Sequence, residues 1–115
     1  LIVPVPLHSR RKRKRGFNQA EIVAKVLSEN TGIAMEAGAV KRIKATSPQK
    51  ELGDKGRKRN IRGAFAVQKN VKGENIVLID DIYTTGSTLD EAARVLKKAG
   101  AENVYFLTVS IGQGI

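Results

Sequence analysis

The segment 76–88 constrains the fold more than any other part of this sequence. It begins with four apolar residues, continues with the adjacent acids Asp80 and Asp81, and then becomes rich in Thr, Ser and Gly. Continuous apolar runs are typical of strands that are covered on both faces of a sheet. A helix is predicted to follow, with Thr88 as its N-cap and Glu91 as the capping-box partner. The segment therefore predicts a strand–loop–helix unit of an α/β protein.

Hydrophobic periodicity and turn residues predict the other elements. They are strands at 1–5, 39–43, 64–67, 75–79 and 104–109, the last one buried, and helices that begin at Asn18 and Thr88. Asn18 and Glu21 form a predicted capping box, and Gly32 and Gly100 are predicted to end the two helices. The predicted apolar face of the first helix consists of Ile22, Val23, Val26 and Leu27, and that of the second consists of Leu89, Ala92, Ala93 and Leu96. This order predicts a mostly parallel sheet flanked by helices.

Length and composition exclude several protein classes. The 115 residues fit one domain, spanning 1–115, and 41% hydrophobic residues are enough for a buried core. The chain contains no cysteine, which excludes disulfides and thiolate metal sites. No apolar run approaches the roughly 20 residues of a membrane span, so we expect a cytoplasmic protein. Because Leu1 already lies in a predicted strand, we expect this domain to be the C-terminal part of a longer protein.

Positive charge is concentrated in two segments. The formal net charge is +10, from 21 Lys and Arg against 11 Asp and Glu. Residues 10–15 are six consecutive basic residues, and a second group comprises Lys50, Lys55, Arg57, Lys58, Arg59 and Arg62. Such runs are either solvated surface or the binding surface for a highly charged anion, a polyphosphate or a nucleic acid. The polar stretch 44–63 is correspondingly either a functional lid or plain surface disorder.

The chemistry of segment 76–88 suits a phosphorylated sugar. Ligands of open α/β sheets bind outside the carboxyl ends of the strands. The loop 84–88 offers backbone N–H groups and hydroxyls to a phosphate at a helix N-terminus, and Gly86 allows close approach of the backbone. The carboxylates of Asp80 and Asp81 suit sugar hydroxyls or a hydrated Mg²⁺. The alternative is an ordinary strand-to-helix turn in which Asp and Thr act as caps.

These residues resemble the phosphoribosyl-diphosphate (PRPP) signature of the type I phosphoribosyltransferases. Nearly the whole chain is similar to one branch, the bacterial ComF family, through residues 4–8, 15–21, 49–50, 59–65 and 76–88. The resemblance implies the phosphoribosyltransferase α/β core, amidophosphoribosyltransferase-like ancestry and a link to DNA uptake in competent bacteria. ComF proteins also carry a cysteine-rich, zinc-ribbon-like segment, which is absent from this sequence. We therefore expect the core to lack that segment and the hood that holds the acceptor.

The same resemblance implies roles for individual residues. PRPP would be bound by Asp80, Asp81, Tyr83, Thr84, Thr85, Gly86, Ser87 and Thr88. Asp80 and Asp81 would be catalytic, since they hold the ribose hydroxyls and stabilise positive charge on the ring. A pyrophosphate loop would comprise Leu7, His8, Ser9 and Arg10, and a flexible loop would contribute from Lys50, Arg57, Arg59 and Arg62. Mg²⁺ would be held mainly through PRPP, without a direct protein ligand.

Two classes of function follow from these patterns. The first is a PRPP-dependent transferase that acts on an unidentified acceptor and releases pyrophosphate. The second is a non-catalytic PRPP sensor, or a DNA-transport accessory protein, whose basic loops bind single-stranded DNA or a protein partner of the competence system. The single histidine, His8, is either a general base or a hydrogen-bonding neighbour of the phosphate site. With 4% aromatic residues, a groove built on base stacking is weakly supported.

Overall fold

Parallel strands form the centre of this α/β protein, as the sequence predicts. The computed structural model describes residues 1–6, 18–43, 61–83 and 86–111, with the backbone alone at 81–83, 87, 110 and 111. The elements are β1 (Ile2–Pro4), α1 (Gln19–Thr31), β2 (Val40–Arg42), β3 (Phe65–Val67), β4 (Asn75–Tyr83), α2 (Ser87–Lys98) and β5 (Asn103–Ile111). Strands β1, β4 and β5 form a parallel sheet in the order β1-β4-β5, and β2 pairs with β3 in an antiparallel ribbon. No helix in these ranges has the length and apolarity needed to cross a bilayer.

Strand β4 lies at the centre of the sheet and is covered on both faces. Its neighbours pair with it in parallel register, Val77 opposite Ile2 of β1 and Ile79 opposite Leu107 of β5. The side chains of Ile76, Leu78 and Ile79 are fully buried. The predicted continuous apolar strand is therefore confirmed, and it extends to Tyr83.

Side chains alternate between two hydrophobic clusters along β4. Ile76 and Leu78 pack in the larger cluster, which includes Leu89, Ala92 and Leu96 of α2. Ile79 packs in the smaller cluster with Ile2, Ala20 and Ala24, the two alanines belonging to α1. Each helix therefore covers a different face of the sheet, the three-layer arrangement typical of parallel sheets.

Helix α1 begins and ends where the sequence predicts. Asn18 is the N-cap, and its Oδ1 accepts a hydrogen bond from the Ala20 N–H at 3.2 Å. Gly32, with φ of +76°, ends the helix and donates its N–H to the Ser28 carbonyl at 3.0 Å.

The apolar face predicted for α1 is partly wrong. Val23 and Leu27 pack against the smaller cluster, but Ile22 and Val26 are 52% and 51% exposed. The fully buried positions of α1 are Ala20 and Ala24. Small side chains there allow the helix to lie close to β1 and β4, while Ile22 and Val26, two positions away, point past the sheet.

Helix α2 differs from the prediction at its start. It begins at Ser87 with Gly86 as the N-cap, and no side chain caps it. The predicted capping box of Thr88 with Glu91 is therefore wrong, because the Glu91 carboxylate accepts from the Gly63 N–H instead. The predicted end is confirmed, since the helix stops at Lys98 and Gly100 follows with φ of +105°.

Strand β5 is not the buried strand that its apolar sequence predicts. Four of its large side chains are roughly half exposed: Tyr105 at 56%, Phe106 at 46%, Leu107 at 44% and Val109 at 59%. Within the described ranges β5 pairs with β4 alone, and the smaller cluster that contains α1 includes no residue of β5.

A pair of leucine substitutions on adjacent strands tests this difference in burial. Leu78→Ala should lower the free energy of unfolding by about 3 kcal/mol, because it leaves a cavity between the sheet and α2. Leu107→Ala removes the same atoms from a half-exposed site and should cost less than about 1 kcal/mol. Urea unfolding followed by circular dichroism measures both, and equal losses would contradict the exposed placement of β5.

Candidate functional site

Asp80 lies at the carboxyl edge of the parallel sheet. It pairs with Thr108 of β5, and the preceding Ile79 carbonyl accepts a hydrogen bond from the Val5 N–H at 2.8 Å. By alternation along β4, Asp80 shares its face with Leu78 and therefore lies on the α2 side of the sheet. Asp80 is half-buried at the edge where α/β proteins bind ligands.

The N-terminus of α2 lies beyond the same edge. Gly86 is buried and has φ of +81°, a left-handed conformation that residues with a Cβ rarely adopt. Its carbonyl accepts the first helical hydrogen bond, from the Asp90 N–H at 2.8 Å. The unpaired N–H groups of the first turn carry the positive end of the helix dipole. Asp80, Gly86 and the half-buried Thr88 together offer acceptors for sugar hydroxyls next to donors for a phosphate.

Asn18 joins the two ends of the first basic segment. Its Nδ2 donates to the Val5 carbonyl at 3.1 Å, while its Oδ1 caps α1. The chain therefore leaves β1 beside Asp80 and re-enters the described structure at the same place. The predicted pyrophosphate loop, residues Leu7, His8, Ser9 and Arg10, lies outside the described residues.

A second hydrogen bond joins the ends of the other basic segment. The Ile43 N–H donates to the Ala64 carbonyl at 2.7 Å, and the Ala64 N–H donates to the Ile61 carbonyl at 2.9 Å. Arg62 lies in the resulting turn and is exposed. The other predicted cations of the flexible loop, Lys50, Arg57 and Arg59, lie outside the described residues.

Glu91 connects this turn to α2, a contact that the sequence analysis missed. Its Oε2 accepts from the Gly63 N–H at 3.0 Å and from Arg94 Nη2 at 2.6 Å, and its Oε1 accepts from Arg94 Nε at 2.8 Å. The Arg94 hydrogen bonds lower the pKa of Glu91, burial opposes them, and the Gly63 N–H and the charges of Arg94 and Arg62 add to the lowering. The i,i+3 spacing of Glu91 and Arg94 is a sequence signal for their ion pair.

The predicted site residues divide into three groups. Asp80, Gly86 and Thr88 are described in full, the first in β4 and the other two at the start of α2. The backbones of Asp81, Tyr83 and Ser87 are described, the first two in β4 and the third at the start of α2. Thr84 and Thr85 lie outside the described residues. Among the side chains that the structure describes, no group of three or more His, Cys, Asp or Glu residues is arranged to hold a metal ion.

Comparison with known proteins agrees with this geometry. The family model for the phosphoribosyl transferase domain matches residues 13–111. The chain is 42% identical over 106 residues to competence protein F of Haemophilus influenzae, covering 90% of this chain and 46% of that protein. It is 42% identical over 103 residues to the DNA utilization protein YhgH of Escherichia coli K12, covering 90% and 45%. Competence protein ComFC of Bacillus subtilis is 35% identical over 111 residues, covering 95% and 43%. The chain thus spans somewhat less than half the length of these relatives.

The lowered pKa of Glu91 predicts a pH-dependent contribution to stability. A carboxylate whose pKa is depressed by folding stabilises the folded state above its ordinary value of 4.5, and the contribution is lost as the pH falls through the lowered pKa. Glu91→Gln should therefore destabilise the protein at pH 7, and its difference from the parent should shrink in acid. Denaturant unfolding from pH 7 to pH 3 measures this dependence.

A matched control for this measurement is Glu29→Gln, which changes an exposed residue of α1. Its stability at pH 7 should stay within about 0.5 kcal/mol of the parent. If the Glu91→Gln difference keeps its pH 7 size at pH 3, the ionised carboxylate is not what stabilises the turn.

Proposed function

This chain belongs to the phosphoribosyl transferase domain family, and from that premise we propose that it binds PRPP with Mg²⁺ and transfers the phosphoribosyl group to an acceptor, releasing pyrophosphate. The observation that supports the proposal is that Asp80 lies near the carboxyl end of β4, at the sheet edge after which the chain enters the N-terminus of α2. At that edge a carboxylate is combined with a helix N-terminus whose N-cap, Gly86, has a left-handed backbone conformation. A phosphorylated sugar needs both, one for its hydroxyls and one for its phosphate.

The proposed roles follow from the hydrogen-bonding capacity of each group. The Asp80 carboxylate accepts from the ribose hydroxyls, with Asp81 assigned the same role from the motif. The backbone N–H groups from Gly86 into the first turn of α2, with the Thr88 hydroxyl, donate to the 5′-phosphate. Asp80 lies in β4 and Thr88 in α2, so their backbones lose little conformational freedom when the ligand binds.

The described residues at this edge could supply only a small part of the coordination sphere of Mg²⁺. Asp80 supplies a hard oxygen donor, but the described side chains provide no cluster of three metal ligands. Mg²⁺ commonly keeps several waters and binds through one or two carboxylates plus the phosphates of its substrate. When bound, it would neutralise charge on the diphosphate, and the diphosphate itself would hold most of its coordination sphere.

The proposed reaction is a substitution at the anomeric carbon of the ribose. A bond forms from the acceptor's nucleophilic atom to that carbon, and the carbon–oxygen bond to pyrophosphate breaks, with the electron pair leaving on pyrophosphate. Positive charge develops on the ring, and the Asp80 carboxylate stabilises it electrostatically. Positioning accounts for the rest of the proposed catalysis, since no covalent step on the protein is required.

Ligand-induced stabilisation tests the binding half of the proposal. PRPP with Mg²⁺ should raise the melting temperature with increasing concentration, because a ligand that binds only the folded state adds about 2.7 kcal/mol at 100 times its Kd. Ribose 5-phosphate should give a smaller shift. The double variant Asp80→Asn with Asp81→Asn should lose the shift while keeping its circular dichroism spectrum. Glu102→Gln, which changes an exposed residue at the amino edge of β5, should retain it.

The outcomes of this experiment distinguish PRPP binding, a purely capping role of the two acids, and turnover. Absence of a shift at millimolar PRPP would refute PRPP binding by this chain. A full shift in the Asp80/Asp81 double variant would show that the two acids only cap the strand end. Release of pyrophosphate that depends on an added acceptor would distinguish turnover from ligand binding alone.

We propose, as a second candidate, that the basic segments bind single-stranded DNA, whether or not the PRPP pocket is catalytic. The observations that favour it are the formal charge of +10 and the names of two relatives, DNA utilization protein and competence protein. A PRPP sensor or DNA-transport accessory protein would need ligand binding without turnover. Few aromatic residues are available for stacking, so contacts to phosphates would dominate.

Salt dependence tests the DNA proposal. Binding of an oligonucleotide should weaken with a log–log slope of about −0.7 for each phosphate that is neutralised, and it should show little base preference. Neutralising residues 10–15 to Gln should reduce the slope. Fluorescence anisotropy over a salt series measures both, and no binding of the parent at low salt would rule out the DNA-facing surface. Competition by PRPP would instead show one shared anion site.

A further inference from the structure

The Glu91 carboxylate links α2 directly to the turn 61–63 by accepting a hydrogen bond from the Gly63 N–H. It is 6% exposed, whereas its partner Arg94 has a 42% exposed side chain. A buried carboxylate loses much of its hydration, and that cost must be offset by hydrogen bonds. Three hydrogen bonds at 2.6–3.0 Å fulfil this requirement, one of them from the backbone of Gly63. The carboxylate therefore fixes the turn to the helix.

Arg62 is held in place by its two neighbours. Ile61 is 2% exposed and packs in the larger cluster, which also contains Leu89 of α2. Gly63 is tied to Glu91 through its N–H. The backbone at Arg62 is thus fixed from both sides while its side chain stays exposed, and its charge lies close enough to Glu91 to help lower the pKa of that carboxyl.

The same helix carries the candidate phosphate-binding element. Glu91 is four residues after Ser87, which corresponds to about 6 Å along the helix axis. One rigid element therefore sets the distance between the N-terminus of α2 and the backbone that presents Arg62. A cation that is held in place loses less conformational freedom on contacting an anion than a free surface lysine does.

We propose that Glu91 is a positioning residue that places Arg62 for contact with the diphosphate of the ligand, so that the site distinguishes PRPP from ribose 5-phosphate. This inference rests on the proposed PRPP binding and on the flexible-loop role that the resemblance implies for Arg62, and it adds Glu91, which lies outside the acidic pair and the phosphate loop. Glu91 does not touch the ligand and acts through the turn. Arg62 supplies the charge that a monophosphate at the 5′ position does not reach.

Isothermal titration of both ligands in the presence of Mg²⁺ tests the proposal through the ratio of their dissociation constants. Arg62→Ala should reduce the preference for PRPP by on the order of tenfold, as expected for one charge-assisted hydrogen bond, and should leave ribose 5-phosphate binding within about twofold. Glu91→Ala should reduce the preference in the same direction. The double variant should lose no more preference than Arg62→Ala alone, because both changes remove one contact.

Matched substitutions provide the controls. Lys72→Ala removes an exposed positive charge from the turn before β4, and Glu29→Ala removes an exposed acid from α1. Both should keep the parent's ratio. They separate a specific effect of Arg62 and Glu91 from a general change in net charge.

The possible outcomes test the proposed PRPP binding and the positioning role of Glu91 separately. A parent that binds PRPP no better than ribose 5-phosphate refutes the proposed function itself. If the parent prefers PRPP and Glu91→Ala weakens both ligands equally, or if the two substitutions act additively, Glu91 has a structural role only and the inference is wrong. Should Glu91→Ala fail to fold by circular dichroism, Arg62→Ala still decides, since an unchanged ratio in that surface variant overturns the inference.

Discussion

Hydrogen bonding of β4 to β1 on one side and to β5 on the other determines where Asp80 lies in the sheet. The register of these parallel ladders brings Asp80 to the edge at which β1 also ends. Since β4 is buried on both faces, a shift of one residue would exchange the clusters formed by Leu78 and Ile79 and place Asp80 on the opposite face. The packing of the core and the orientation of the site are therefore fixed by the same constraint.

Electrostatic groups at this edge are arranged around α2. The first turn of the helix presents backbone donors toward the edge, and Glu91, in its second turn, holds the turn that contains Arg62. Lys97 and Lys98 lie in the last turn, where cations favour the negative end of the dipole. A single helix thus supports the proposed phosphate-binding end, the ion pair with Arg94 and the base of a basic segment.

Local sequence signals predicted the parts of the fold that depend on local physics. The apolar run of β4, the Asn18 cap and the glycines that end both helices require only neighbouring residues. Exposure of β5 was not predictable, because the pattern of an apolar strand is the same whether or not a helix covers it. Glu91 was assigned to a cap because its partner Gly63 lies 28 residues away in sequence. In the candidate site, the motif indicated Asp80 and Gly86, whereas the non-local tether required the structure.

The hydrogen bonds that join Val5 to Asn18 and Ile43 to Ala64 have a consequence for how this scaffold tolerates change. Each of these hydrogen bonds holds the two ends of a basic segment together, whatever the sequence between them. Closing a flexible loop costs only about 0.6 kcal/mol more for each doubling of its length. Insertions, deletions or wholesale grafts between these anchor points should therefore leave the sheet intact. Recognition of new anions can then be engineered, or can diversify, in two segments while the carboxyl edge of the sheet stays constant.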